Sequence, residues 1–369
     1  MARFSAIPAI TATLLTFILI GPSSAAEVTP ERLVNADKEP QNWLMNHRTY
    51  EAQRYSPLDK INKNSIKSLK LAYAVAIGGT SANENLESTP LAEDGYLYVV
   101  DQWGVVYKID GRSGDMGRIV WRMDPGQEKT PLANRGAALW GNFVITVANY
   151  PARVIATDKE TGKVTWEANL SDGQADLQLT AAPLSVKDKI IIGAAGGDRG
   201  VRDFIAALDG ATGRLLWRKY TVPAPGEPGS ETWKGNNNAW QTGGGAMWVT
   251  GSYDVANNQV LWGTGNPVPM YNPFYRPGDN LYTNSLISWD PDTGKMNWYH
   301  QYVPGDMCDR RTDRRPAPQA RYPFGAQRLP VCVRTHEWAD TAGETLHGGD
   351  QLDQGHRSED WAADRLRSE

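Results

Sequence analysis

The sequence predicts an all-β chain folded as a β-propeller, and three observations carry that expectation. A turn motif recurs, in which an Asp is followed by Thr-Gly and, four residues later, by a Trp. Successive copies lie about one four-stranded blade apart. Between them run short stretches of β-forming residues such as Gly95–Val100 and Lys189–Ile192.

The copies can be taken in order. The first is loose, running from Asp110 through Gly114 to Trp121. The second is Ala156-Thr157-Asp158-Lys159-Glu160-Thr161-Gly162 and leads to Trp166. The third runs from Ala207 to Gly213 and leads to Trp217, and the fourth from Ser288 to Gly294 and leads to Trp298. Each reads as strand, turn, strand. The Asp and Thr side chains suit hydrogen bonding to the turn backbone, and the Gly accepts a left-handed conformation. The Trp can then return to pack on a neighbour. Asp110, Asp158 and Asp209 are 48 and 51 residues apart, whereas Asp290 follows 81 later, so one blade carries a long insertion. The repeat alone does not decide for catalysis, because similar repeats build propellers that only scaffold other proteins.

At 369 residues the chain suffices for one large β domain or two smaller ones. A net charge of −4 argues against a nucleic-acid partner, since no basic surplus exists to release phosphate counterions. The two cysteines, Cys308 and Cys332, lie near the end, so no disulfide framework supports residues 1–307. Residues 1–26 read as an export leader: Arg3 opens it, an apolar run from Ile7 to Ile20 follows, and small residues lead up to Ala26. Cleavage near Ala26 and a periplasmic destination are expected. The alternative is a single membrane anchor, but the run is shorter than the roughly 20 residues a spanning helix needs.

From Trp43 to about Asp309 the chain resembles the quinoprotein methanol and ethanol dehydrogenases. The residues carrying this are Gln53-Arg54-Tyr55-Ser56-Pro57-Leu58, Glu87-Ser88-Thr89-Pro90 and Asn134-Arg135-Gly136. They continue with Gly196 to Arg202, with Thr242-Gly243-Gly244-Gly245-Ala246-Met247-Trp248, with Gly263-Thr264-Gly265-Asn266-Pro267, and with Arg276 to Tyr282. The resemblance implies an eight-bladed propeller holding pyrroloquinoline quinone and a Ca²⁺ or lanthanide ion, with a small alcohol as substrate and a cytochrome c as electron acceptor.

It also implies roles. Glu87 would contact the quinone, although a solvated loop carboxylate reads the same. Arg135 suits a cofactor bearing carboxylates, which a guanidinium grips with two bonds; a surface Arg is the plain alternative. Thr180 would donate a hydroxyl, or is an ordinary strand Thr. Gly196 and Gly197, after Ala195, let the backbone approach a ligand. Asp198 and Asn266 offer hard oxygens suited to Ca²⁺ or a lanthanide. Trp248 would stack on the quinone, or is a blade-core Trp. Asp309 would be both the catalytic base and a metal ligand.

The chain departs from the family pattern at several of these places. Lys129 and Thr130 stand where adjacent cysteines are common, Asp198 where Glu is usual, and Cys308 where a Trp is expected before Asp309. Ala195 and Ala246 lack hydroxyls common there. Residues 310–369 contain ten Arg but no Lys, Asn or Ile, and no blade repeat. A divergent extension and a shifted reading frame both fit. The second is favoured by back-translation: one base later, Gly349 to Trp361 can encode an Asn-Trp-Thr-x-Gly-Ile-Asp stretch similar to one the family carries farther along. On that reading the chain is an export leader (1–26), part of a propeller (27–309) and a foreign tail, and the rival to a dehydrogenase is a non-catalytic propeller fragment.

Overall fold

The computed structural model describes residues 26–78, 86–128 and 133–305, all within one compact unit. Sixteen strands make four antiparallel four-stranded sheets, each ordered as its chain runs. Blade 1 comprises β1 (Leu91–Glu93), β2 (Tyr96–Val100), β3 (Val106–Asp110) and β4 (Arg118–Met123). Blade 2 comprises β5 (Ala138–Trp140), β6 (Phe143–Ala148), β7 (Arg153–Asp158) and β8 (Val164–Asn169). Blade 3 is β9 (Leu184–Val186), β10 (Lys189–Gly193), β11 (Phe204–Asp209) and β12 (Leu215–Tyr220). Blade 4 is β13 (Ser252–Asp254), β14 (Gln259–Gly263), β15 (Ser285–Trp289) and β16 (Met296–Gln301). The all-β propeller expected from the repeat is the fold.

Burial falls from inner to outer strands for a reason visible in the sequence. β10 (Lys-Ile-Ile-Ile-Gly) is buried at every position and β11 nearly so, because both faces of a middle strand lie against neighbouring blades. The fourth strands alternate or face solvent: β8 buries chiefly Trp166, and β12 has no fully buried residue. The middle strands of all four blades contribute to one continuous apolar core.

The turn motif works as its residues require. Asp158 Oδ1 accepts from the Thr161 N–H and hydroxyl, both at 2.7 Å, and Asp209 repeats this with Thr212 at 2.9 and 2.8 Å. In the loose first copy Asp110 instead accepts from the Arg112 backbone and guanidinium. A register shift before each turn sets the strand after it. The first three Trp then reach the following blade rather than their own: Trp121 donates to Lys159 O (2.9 Å), Trp166 to Gly210 O (3.2 Å) and Trp217 to Pro291 O (3.0 Å). Their rings lie against Gly162, Gly213 and Gly294, where a side chain would collide with them. Trp298 is 42% exposed and donates to Gln259 of its own blade.

The extra length before Asp290 is divided. The connection 221–251 between blades 3 and 4 and the connection 264–284 inside blade 4 are each about twice the equivalent connections 170–183 and 194–203. Both long segments lie beside the candidate site.

Candidate functional site

A cavity of about 380 Å³ opens where loops of blades 2, 3 and 4 converge. Arg135 and Thr180 line it from segments preceding β5 and β9, and Ala195, Gly196, Gly197 and Asp198 from the β10–β11 connection. Trp248 and Asn266 enter from the two long connections. Thus eight of the residues singled out in the sequence share one cavity. Glu87 does not line it but reaches it through Arg135. Asp309, with Cys308, Lys129 and Thr130, lies outside the described residues.

Backbone pairing fixes the walls. Arg135 N donates to Thr180 O (3.1 Å), and Gln178 and Ala195 exchange two bonds of 2.8 and 2.7 Å. Gly196 turns the chain with φ +108°, and a Cβ there would collide with Asp176 O. Gly244 N donates to Val201 O, and Gly245 N to Asn266 O, so the glycine-rich run ties the connection of blade 3 to that of blade 4.

The side chains are already engaged with one another. Arg135 pairs with Glu87 at 2.8 Å, and its guanidinium sits 4.7 Å from the centroid of the Trp248 ring. The Thr180 hydroxyl donates to Trp248 O at 3.2 Å rather than pointing freely into the cavity. Trp248, 46% exposed, is an exposed cavity wall and not a blade-core residue. Asn266 Nδ2 donates to Asp198 Oδ1 at 3.1 Å. That orientation turns the amide oxygen away from the carboxylate, and a half-rotation of the amide exchanges the two.

The oxygen donors suit a hard cation: an exposed carboxylate and an amide, with no Cys or His among the lining residues. Among the described residues no three His, Cys, Asp or Glu gather to hold a metal. Sequence reasoning missed four participants. Gln178 and Arg199 line the cavity, and both hydrogen bond to the Tyr150 hydroxyl, at 2.8 and 2.9 Å. Asp203 is fully buried behind Gly197. Arg199 stands within a run read for its glycines and Asp. Tyr150 gave no signal, because its contact with that run spans about fifty residues.

Four blades of one repeat, with a polar cavity among their loops that combines a guanidinium, a hard-oxygen pair and an exposed indole, define a β-propeller with a candidate ligand site. The sequence between residues 43 and 321 matches the PQQ glucose/ethanol/alcohol dehydrogenase β-propeller domain, and the chain belongs to that family. It is 36% identical over 317 residues to the quinoprotein alcohol dehydrogenase PedH of Pseudomonas putida, covering 80% of this chain and 52% of that protein. Methanol dehydrogenase [cytochrome c] subunit 1 of Methylobacterium organophilum is 32% identical over 328 residues, covering 80% and 51%. A europium-containing methanol dehydrogenase superposes with a TM-score of 0.68 at 30% identity, covering 75% of this chain and 51% of that one. The chain spans about half the length of the curated relatives it matches. Among the described residues no helix is long and apolar enough to cross a membrane.

Proposed function

We propose that this chain is the exported cofactor-binding part of a PQQ-dependent alcohol dehydrogenase that oxidises a primary alcohol to an aldehyde in the periplasm, with Ca²⁺ or a lanthanide beside the quinone. What supports the reading is the convergence of Arg135, Thr180, the Ala195–Asp198 stretch, Trp248 and Asn266 on one cavity. Arg135 and Thr180 would hold the quinone's carboxylates, with Glu87 tethering the guanidinium. Ala195, Gly196 and Gly197 would form the close backbone wall, and Trp248 would cover one ring face. Asp198 and Asn266 would hold the cation, which needs further oxygens, from the ligand among others, because the described residues gather too few. When bound, the quinone supplies the hydride acceptor and the cation polarises its carbonyl. Asp309 would accept the proton of the alcohol hydroxyl and add a metal ligand. A cytochrome c is the proposed electron acceptor, in keeping with the name of the methanol dehydrogenase relative.

The second reading is a non-catalytic propeller fragment. The Glu87–Arg135 pair and the Thr180–Trp248 bond favour it, since they satisfy the cavity's polar groups without a ligand. Equilibrium dialysis of the full chain with PQQ, with and without Ca²⁺ or La³⁺, separates the two. Saturable, cation-enhanced uptake is expected for the first reading; no uptake under either condition leaves the second.

A further inference from the structure

Asp203 stands immediately before β11 in a sequence that is otherwise turning apolar, Val201-Arg202-Asp203-Phe204-Ile205. Its side chain is fully buried, and neither carboxylate oxygen has a hydrogen-bond partner. The backbone at this residue is engaged on both sides: its N–H donates to Gly244 O at 3.2 Å, and its carbonyl accepts from Thr221 N at 3.0 Å. Among the described residues no cation answers the carboxyl. The adjacent Arg202 turns away, donating from Nε to Val222 O at 2.8 Å and lying over the rings of Tyr220 and Trp240.

What the carboxyl does face is the cavity wall. Oδ2 lies 2.8 Å from where a Cβ on Gly197 would stand, so the carboxyl packs against the backbone of the residue that directly precedes Asp198. Burial first, and the Asp198 charge second, hold Asp203 well above the usual carboxylate range. A buried, unpartnered carboxyl is costly in an apolar interior and persists where something else compensates it.

We propose that Asp203 is a second carboxylate of the cation site, set behind Gly197, and that it strengthens the hold of Asp198 and Asn266 on multivalent cations. This rests on the reading of those two residues as the exposed donors. The Coulomb term scales with the product of the charges and is screened less inside the protein than at its surface, so a trivalent ion gains more than a divalent one. Asp203 acts here as a positioning residue: a cation bound at Asp198 favours the ionised form of the carboxyl behind Gly197, and the field of that carboxylate adds to the hold on the ion with no bond required.

The test is Tb³⁺ luminescence, sensitised by Trp248 in the same cavity, on the full 369-residue chain, with Ca²⁺ as competitor. Asp203→Asn keeps the shape of the neutral acid and removes the charge. It should weaken Tb³⁺ by about tenfold or more, the scale of outer-sphere substitutions, and Ca²⁺ by less, with the metal-free melting temperature unchanged or higher. Asp198→Asn should abolish binding. If Asp203→Asn binds Tb³⁺ like the parent while Asp198→Asn does not, Asp203 is merely a buried neutral acid and the proposal fails alone. If the parent binds no Tb³⁺, or Asp198→Asn binds it equally well, the cation-site reading falls and takes this inference with it. Should Asp203→Asn fail to fold, Gly197→Ala displaces the same carboxylate by contact, and unchanged Tb³⁺ affinity there overturns the proposal.

Discussion

Arg135 is held by Glu87, by the Trp248 ring and by its own backbone bond to Thr180, so its guanidinium is fixed in plane before any ligand arrives. A planar fork can grip a carboxylate twice, which an ammonium cannot. Arg135→Lys should therefore lower PQQ uptake by roughly tenfold to a hundredfold, the loss of one charge-assisted bond of about 1.5–3 kcal/mol, while leaving the melting temperature nearly unchanged. Dialysis of the two proteins side by side checks this, and equal uptake refutes the role. Residues whose chemistry is local were legible in the sequence: the Gly196–Gly197 pair and Asp198 announce a backbone approach and a hard donor within three positions. Partnerships were not. That Glu87 pairs with Arg135, or that Asp203 is left without a partner, depends on segments brought together only by the folded blades.

At the scale of the element, the blade junction is a ring against a glycine. Gly213 sits at φ +73° with Trp166 packed where its side chain would be, whereas Gly114, at φ +77°, has nothing within 4 Å. Gly114→Ala should cost only the left-handed backbone term, about 1–2 kcal/mol. Gly213→Ala should cost about 2–5 kcal/mol, because displacing the indole adds an overpacking term of about 1–3 kcal/mol to the backbone term. Urea unfolding of both variants measures the difference, and equal losses would show that the ring contact contributes nothing. A second joint is electrostatic. Glu93 of β1 is fully buried between Lys159 of the blade 2 turn and Arg32 of the helix α1 (Pro30–Val34), each at 2.8 Å. Glu93→Gln leaves a buried ammonium without its counter-charge and should cost about 3–5 kcal/mol. Pairing it with Lys159→Met should recover most of that loss. The turns and strands were readable because their signals repeat, and the 81-residue interval was readable as an insertion. Its division into two segments flanking one cavity was not, since length alone does not say where a loop lies.

For the whole molecule, the prediction concerns turnover. The composition changes after the candidate base Asp309, and we propose that a shifted frame replaces the family sequence in the tail, whose greater part lies beyond the matched residues 43–321. The chain as written should then show little dye-linked alcohol oxidation even with PQQ and Ca²⁺ or La³⁺ added. A base misplaced by about 1 Å can cost on the order of a hundredfold in rate. Restoring the frame should bring activity back, and Asp309→Asn in the restored protein should remove turnover while sparing PQQ uptake. Comparable rates from the chain as written and the restored one would overturn this account. Secretion is checked in the same preparations: a mature chain beginning near Glu27 is expected in the periplasmic fraction, and an uncleaved cytoplasmic product contradicts export.

The reach of each Trp onto the next blade has a consequence for how such a chain can grow by gene duplication. The units at Asp158 and Asp209 each carry a socket at their own turn and a plug on their outer strand. Because the plugs and sockets of Trp121, Trp166 and Trp217 are chemically alike, a duplicated unit would fit between any two neighbours without a new joint having to evolve. The joint therefore dictates how adjacent blades meet and leaves their number to be set elsewhere.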